Sequence, residues 1–204
     1  DGREPAVRAA LVRGLHAIVA ACRPQVAGYS LRPHYLADPP AGALYPNPAD
    51  FVARARGAEW IDEVARAARE RMQPAGEIVI GHGDWRVQHV RFEDVRIVAA
   101  FDWDGLCKER EPALFGFTAF AFCIDWSRTP VPTTPIEDAR AFLADYEAIR
   151  GGRFTADERR LCGALFAYSY AYLARCMWNV GDDRGTPGTF QEVVASHGPT
   201  LMEL

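Results

Sequence analysis

The sequence predicts an α+β fold that is mostly helical, with one small β-hairpin set into it. Three observations carry this. Apolar residues recur at helical spacing over most of the chain, short β-rich runs cluster only between residues 77 and 101, and Pro, Gly or Asp breaks separate the helical stretches. With 204 residues, 49% of them hydrophobic and 25% charged, the chain can bury a sizeable core. No repeat or linker divides it, so 1–204 reads as one unit: a helical part with a proline-rich loop (5–76), the hairpin segment (77–105) and a second helical part (106–204).

Val7, Leu11, Leu15 and Ile18 follow Pro5 at helical spacing and predict a helix over 5–22, closed by Pro24. Residues 27–49 hold five prolines and two glycines, too many for any regular element. From 50 to 72, Phe51, Ala55, Trp60, Ile61, Val64, Ala68 and Met72 favour helix, with Gly57 as a break. Strands are expected at 77–80, 89–92 and 95–101, with Glu93 and Asp94 turning the chain between the last two. Helices follow at 111–124, 135–149, 155–178 and 188–203.

Charge and cysteine usage narrow the function classes. A net charge of −4 with both signs interspersed leaves no broad cationic face, which argues against nucleic acid or a membrane as partner and leaves a small molecule. Five cysteines without a C-x-x-C read as reduced thiols, and the opening residues lack the pattern of a secretory signal, so a cytoplasmic protein is expected. The apolar run 161–174 is too short to cross a bilayer and reads as a buried central helix.

The stretch IGHGDWRVQHVRFEDVRIVAAFDWDG, residues 80–105, concentrates two histidines, four aspartates and a glutamate. Antiparallel pairing of 89–92 with 95–101 sets His89 beside Asp102, with Asp84 just upstream. Carboxylates this close repel one another unless a cation lies between them, which predicts a divalent metal site. Mg²⁺ with phosphate is the first candidate, because it binds through one or two carboxylates and takes its other ligands from water and phosphate.

His82-Gly83-Asp84, four residues, position 89, and then Asp102-Trp103-Asp104 resemble the catalytic loop and metal-binding segment of the aminoglycoside phosphotransferase and choline kinase family, relatives of the protein kinases. LVRGLHAIVAA at 11–21 is similar to that family's helix after the hinge, and Arg110-Glu111-Pro112-Ala113 sits where the family opens its next helix. The resemblance covers residues 6–126 and implies a kinase-like carboxy-terminal lobe. It would transfer the γ-phosphate of ATP, with Mg²⁺, to a hydroxyl of a small acceptor, with cationic acceptors among the candidates. It further implies Asp84 as the catalytic base, Asp102 as the principal Mg²⁺ ligand and Asp104 and His89 as accessory ligands. His82, Arg86 and His89 would serve the nucleotide side, His82 by bracing the loop and Arg86 by meeting phosphate or an ion-pair partner. Asp125, Trp126 and Trp178 would line the acceptor pocket, whereas Glu147, Asp182 and Asp183 read as solvated helix-end acids and Tyr168, Tyr170 and Tyr172 as packing residues.

The chain departs from the family twice. His89 stands where the family has asparagine, and imidazole suits Mg²⁺ poorly. No glycine-rich cover is found and the sole lysine, Lys108, follows the metal segment, so a missing amino-terminal lobe or a partner chain is expected to complete the site. Two other readings fit the same residues: a non-catalytic, pseudokinase-like lobe that binds a ligand or partner, and a metal-dependent hydrolase. The hydrolase lacks a third histidine nearby in the chain, since His16, His34 and His197 are distant in sequence.

Overall fold

The structure, a computed structural model, describes residues 1–37, 39–46, 56–181 and 188–204. Its class is mixed α+β, mostly helical, with two small antiparallel sheets. Helix α1, Pro5–Cys22, begins with proline in its first turn and turns Leu11, Val12, Leu15 and Val19 into the core. By length and composition alone the span Pro5–Gln25 is apolar enough to cross a membrane, with mean hydropathy 1.3. Here that helix packs against a later helix and the first strand.

Helix α2 spans Glu59–Arg71. The helix expected from residue 50 therefore starts after the break at Gly57, and its first stretch, with Phe51 and Ala55, lies outside the described residues. Four strands follow: β1 (Ile78–His82), β2 (Val90–Glu93), β3 (Arg96–Ala100) and β4 (Leu106–Arg110). The helices after them are α3 (Glu111–Ala121), α4 (Ile136–Arg150), α5 (Ala156–Val180) and α6 (Phe190–His197). The helix expected over 188–203 is thus shorter and ends in a 3₁₀ turn, Gly198–Met202.

Helix α5 is the centre of the helical layer, with α2, α3 and α6 packed on it. Its Thr155–Glu158 capping box fixes where it starts, and Gly181 in the left-handed region ends it. Leu161, Leu165, Phe166, Tyr168 and Tyr170 are buried along it, as expected of a central helix. Helix α3 opens at Glu111, whose buried carboxylate accepts from Tyr146 and from Arg150 at 2.8 Å, both on α4. This pair fixes α4 across the start of α3.

The β-structure differs from a lone hairpin. β2 and β3 do pair, with Val90 opposite Ala100, and Asp94 takes a positive φ of 54° in the tight turn, which Asp tolerates better than most residues. That hairpin is inserted between β1 and β4, which pair antiparallel from Ile78 opposite Arg110 to His82 opposite Leu106. Strand β4 was not expected, because Lys108, Glu109 and Arg110 hide the alternation. Only Cys107 points fully into the core, while the charged side chains find partners at the sheet edge. The Lys108 amide donates to the Arg32 carbonyl at 3.0 Å. Its ammonium donates to the carbonyls of Val26 at 2.6 Å and Tyr29 at 3.3 Å. The proline-rich segment is thereby tied along the edge of β4.

Lys108→Met is expected to remove those two charged hydrogen bonds and cost about 2 kcal/mol of stability. Urea unfolding measures the loss, and faster chymotrypsin cleavage after the exposed Tyr29 reports the loosened segment; an unchanged cleavage rate would show that the lysine does not hold it.

Candidate functional site

Inserting the hairpin between β1 and β4 brings the end of one strand to the start of the other. The Gly83 amide donates to the Gly105 carbonyl at 2.8 Å and the Phe101 amide to the His89 carbonyl at 2.8 Å, so 82–84, 89 and 101–105 share one rim. His82 is fully buried at its centre. Its Nδ1 accepts the Asp84 amide at 3.2 Å, which leaves the proton on Nε2 to donate to the Phe101 carbonyl at 3.0 Å. The ring is boxed by Trp85 and Trp103. His82 braces the loop, as expected, and offers no free nitrogen to a ligand.

Trp85 is buried and donates to the Leu11 carbonyl at 2.8 Å, which pins the loop to α1 and turns Asp84 and Arg86 outward. Asp84, His89 and Asp102 each place a ligand atom within 4.8 Å of the others. His89 Nδ1 donates to the Asp84 carbonyl at 2.8 Å, and its Nε2 lies 3.4 Å from an Asp102 carboxylate oxygen. Asp102 itself sits at φ 63°, a left-handed conformation that aspartate adopts at some cost. Arg86 Nη2 is 3.0 Å from the Asp84 carboxylate, and its Nε donates to His89 Nε2 at 3.2 Å. Asp104 is exposed and outside this cluster, although it lines the same cleft.

Asp84 stands between two cavities. One, of about 340 Å³, is lined by Arg32, Asp84, Asp102, Asp104 and Cys107; the other, of about 270 Å³, by Asp84, Arg86, Tyr35, Phe117, Trp126 and Tyr172. His34 and Tyr35 border both. The first is acidic and the second aromatic. Cys107 is no nucleophile for either, because burial pushes its thiol up to about 12. The half-exposed Asp102 suits Mg²⁺ through one carboxylate, whereas the imidazole of His89 does not.

The acceptor-side expectations divide. Trp126 lines the aromatic cavity, and its amide donates to Gln88 at 2.9 Å, which ties this wall to the 82–89 loop. Asp125 is absent from that lining, and its carboxylate accepts from the amide and hydroxyl of Ser127 at 3.0 and 2.6 Å, bonds that hold it below the usual carboxylate range. Trp178 packs edge-on against Trp60, away from both cavities. Glu147 is not a solvated acid: it is buried and paired with Arg159 at 2.5 Å. Asp182 and Asp183 lie outside the described residues. Tyr168 and Tyr170 pack as expected, but half-buried Tyr172 faces the cavity.

His34 is the residue that sequence reasoning missed. It is remote in the chain, yet the tie between the proline-rich segment and β4 carries it to Gly83, whose carbonyl accepts from its Nε2 at 3.1 Å. Its Nδ1 accepts the Leu36 amide at 3.2 Å, and the ring stacks on Phe117 at 3.7 Å. A Cβ on Gly83 would come within 2.5 Å of this ring, so only glycine fits there. With both nitrogens committed to the backbone, His34 supplies no third metal ligand. The chain matches no protein-family model and no curated protein.

Burial lowers His34 from 6.5 to about 4. The unfolded chain therefore takes up a proton near pH 6.5 that the folded protein refuses until about pH 4. Stability is full above pH 6.5 and falls as the pH drops toward 4, by about 3 kcal/mol from this residue. Unfolding curves between pH 7 and 4 check this: His34→Gln should flatten the slope, and an equal slope in both proteins would contradict it.

Proposed function

We propose that this chain forms the kinase-like carboxy-terminal lobe of a small-molecule phosphotransferase of the aminoglycoside phosphotransferase and choline kinase type, which passes the γ-phosphate of ATP to a hydroxyl of a small acceptor. The observation that carries the reading is the place of Asp84, whose carboxylate borders an acidic cavity on one side and an aromatic one on the other. A base that must touch the acceptor hydroxyl while facing a metal-bound phosphate needs that position.

In this reading Asp84 accepts the hydroxyl proton from the aromatic side and orients the oxygen for attack. Asp102 holds Mg²⁺ in the acidic cavity, with Asp104 on its outer rim. Bound Mg²⁺·ATP supplies the phosphoryl group and the charge neutralisation that its transfer needs. Tyr35, Trp126 and Tyr172 offer faces that suit the apolar side of a sugar ring or an ammonium group. Lys108 is spent on the carbonyls of Val26 and Tyr29, so a phosphate-binding lysine is to be sought in a further segment or a partner chain. Five thiols, three of them buried, accord with a cytoplasmic setting.

Turnover of ATP by the full-length protein with a panel of amino sugars, amino alcohols and neutral sugars tests this. Asp84→Asn should lower kcat by about 10²–10⁴ with little change in the KM for ATP, and Asp102→Asn should raise the Mg²⁺ concentration required. Mg²⁺·ATP binding without transfer to any acceptor would sink the enzyme reading in favour of a non-catalytic lobe.

A further inference from the structure

The Asp84–His89–Asp102 cluster has the donor set of a divalent metal site, yet a cation already stands in it. The Arg86 guanidinium lies 3.0 Å from the Asp84 carboxylate and 3.1 and 3.2 Å from His89 Nε2. His89 commits its Nδ1 proton to the Asp84 carbonyl, so Nε2 presents its lone pair, and that lone pair faces the guanidinium. The Arg86 side chain is only 16% exposed and is held by two partners. A guanidinium does not lose its proton, so the charge is permanent.

We infer that Arg86 is the resident cation of this cluster and occupies the place of a second divalent ion, so that the site takes one metal, on Asp102, and not two. A metal ligated by Asp84 and His89 Nε2 would have to expel a positive charge already satisfied there, against like-charge repulsion at close range. Asp102 escapes the restriction. It is 45% exposed, no described contact joins it to Arg86, and it opens into the acidic cavity with Asp104. Arg86 acts as a positioning residue: it fixes the direction of the Asp84 carboxylate and the plane of the His89 ring, and it also lines the acceptor-side cavity.

The assignment also accounts for histidine at position 89. A neutral imidazole lone pair is a poor ligand for Mg²⁺ but a good acceptor for a guanidinium, so His89 serves Arg86 better than it would serve a hard metal. Removing the guanidinium should therefore open a mixed nitrogen and carboxylate site, of the kind that takes transition dications. The identity of the remaining metal as the nucleotide's partner rests on the phosphotransferase reading; the exclusion of a second ion by Arg86 does not.

Counting bound Mn²⁺ by electron paramagnetic resonance, with and without ADP, tests the inference on the wild type, Arg86→Gln and Arg86→Lys, with circular dichroism as a check of folding. Arg86→Gln should bind one more Mn²⁺ per chain than the wild type, and Arg86→Lys, which keeps the charge, should match the wild type. Arg86→Met gives the same reading if the glutamine variant folds poorly. Equal counts in wild type and Arg86→Gln, or two ions already in the wild type, would overturn the inference. A wild type that binds no Mn²⁺·ADP would sink the phosphotransferase reading alone, since the counts with metal only would still decide the place of Arg86.

Discussion

The His82 ring has no exposed surface, and both of its nitrogens are used, one to receive the Asp84 amide and the other to hold the Phe101 carbonyl. Those bonds join two pieces of chain separated by the whole β2–β3 hairpin. Without them Asp84 and Asp102 would sit on independent loops, each free to move away from the other's charge. With them, the two carboxylates are held close in a fixed geometry, and the repulsion between them is answered locally by Arg86. A buried polar side chain is costly unless every donor and acceptor is matched, and here the matching is complete.

Much of this was legible in the sequence. The helix over 5–22 ends where it was expected, because proline stands in its first turn and another follows its last. The pairing of β2 with β3 follows from alternation, although the turn falls at 94–95 and not at Glu93 and Asp94, and a bulge beside Arg91 shifts the register to set Val90 opposite Ala100; His89 and Asp102 stand together as expected. What failed to show was whatever depended on distant contacts. Strand β4 is masked by three consecutive charged residues, of which Lys108 and Arg110 donate to backbone carbonyls elsewhere in the chain and Glu109 accepts the Arg110 amide. His34 sits in a proline-rich segment with no periodicity, and only its tie to β4 brings it beside Gly83. The left-handed Asp102 could not be read either, since nothing in an Asp-Trp-Asp run demands a positive φ.

The acceptor side shows the limit of reading chemistry from residue type. Trp126, Trp178 and Asp125 look equivalent in sequence as aromatic or acidic groups on the helical part. Only Trp126 reaches the cavity, because Gln88 ties its backbone to the 82–89 loop. Asp125 is turned into a local bend by Ser127, and Trp178 completes a contact with Trp60. The cavity is instead walled by Tyr35, Phe117 and Tyr172, supplied by the proline-rich segment, α3 and α5. The division of labour around Asp84 thus comes from packing: the loops at the strand ends furnish the acidic side, and the helices with the proline-rich segment the aromatic one.

The most direct test of the account is where a metal–nucleotide complex binds. In an isotope-labelled sample, Mn²⁺·ADP should broaden the amide signals of Asp84, His89 and residues 102–105 beyond those of the rest of the chain, with Mg²⁺·ADP as the diamagnetic reference. Broadening centred on that rim would place the metal beside Asp102, as the account requires. Broadening centred elsewhere, for example on the cavity between residues 71–76 and 155–160, or none at all on the rim, would contradict it.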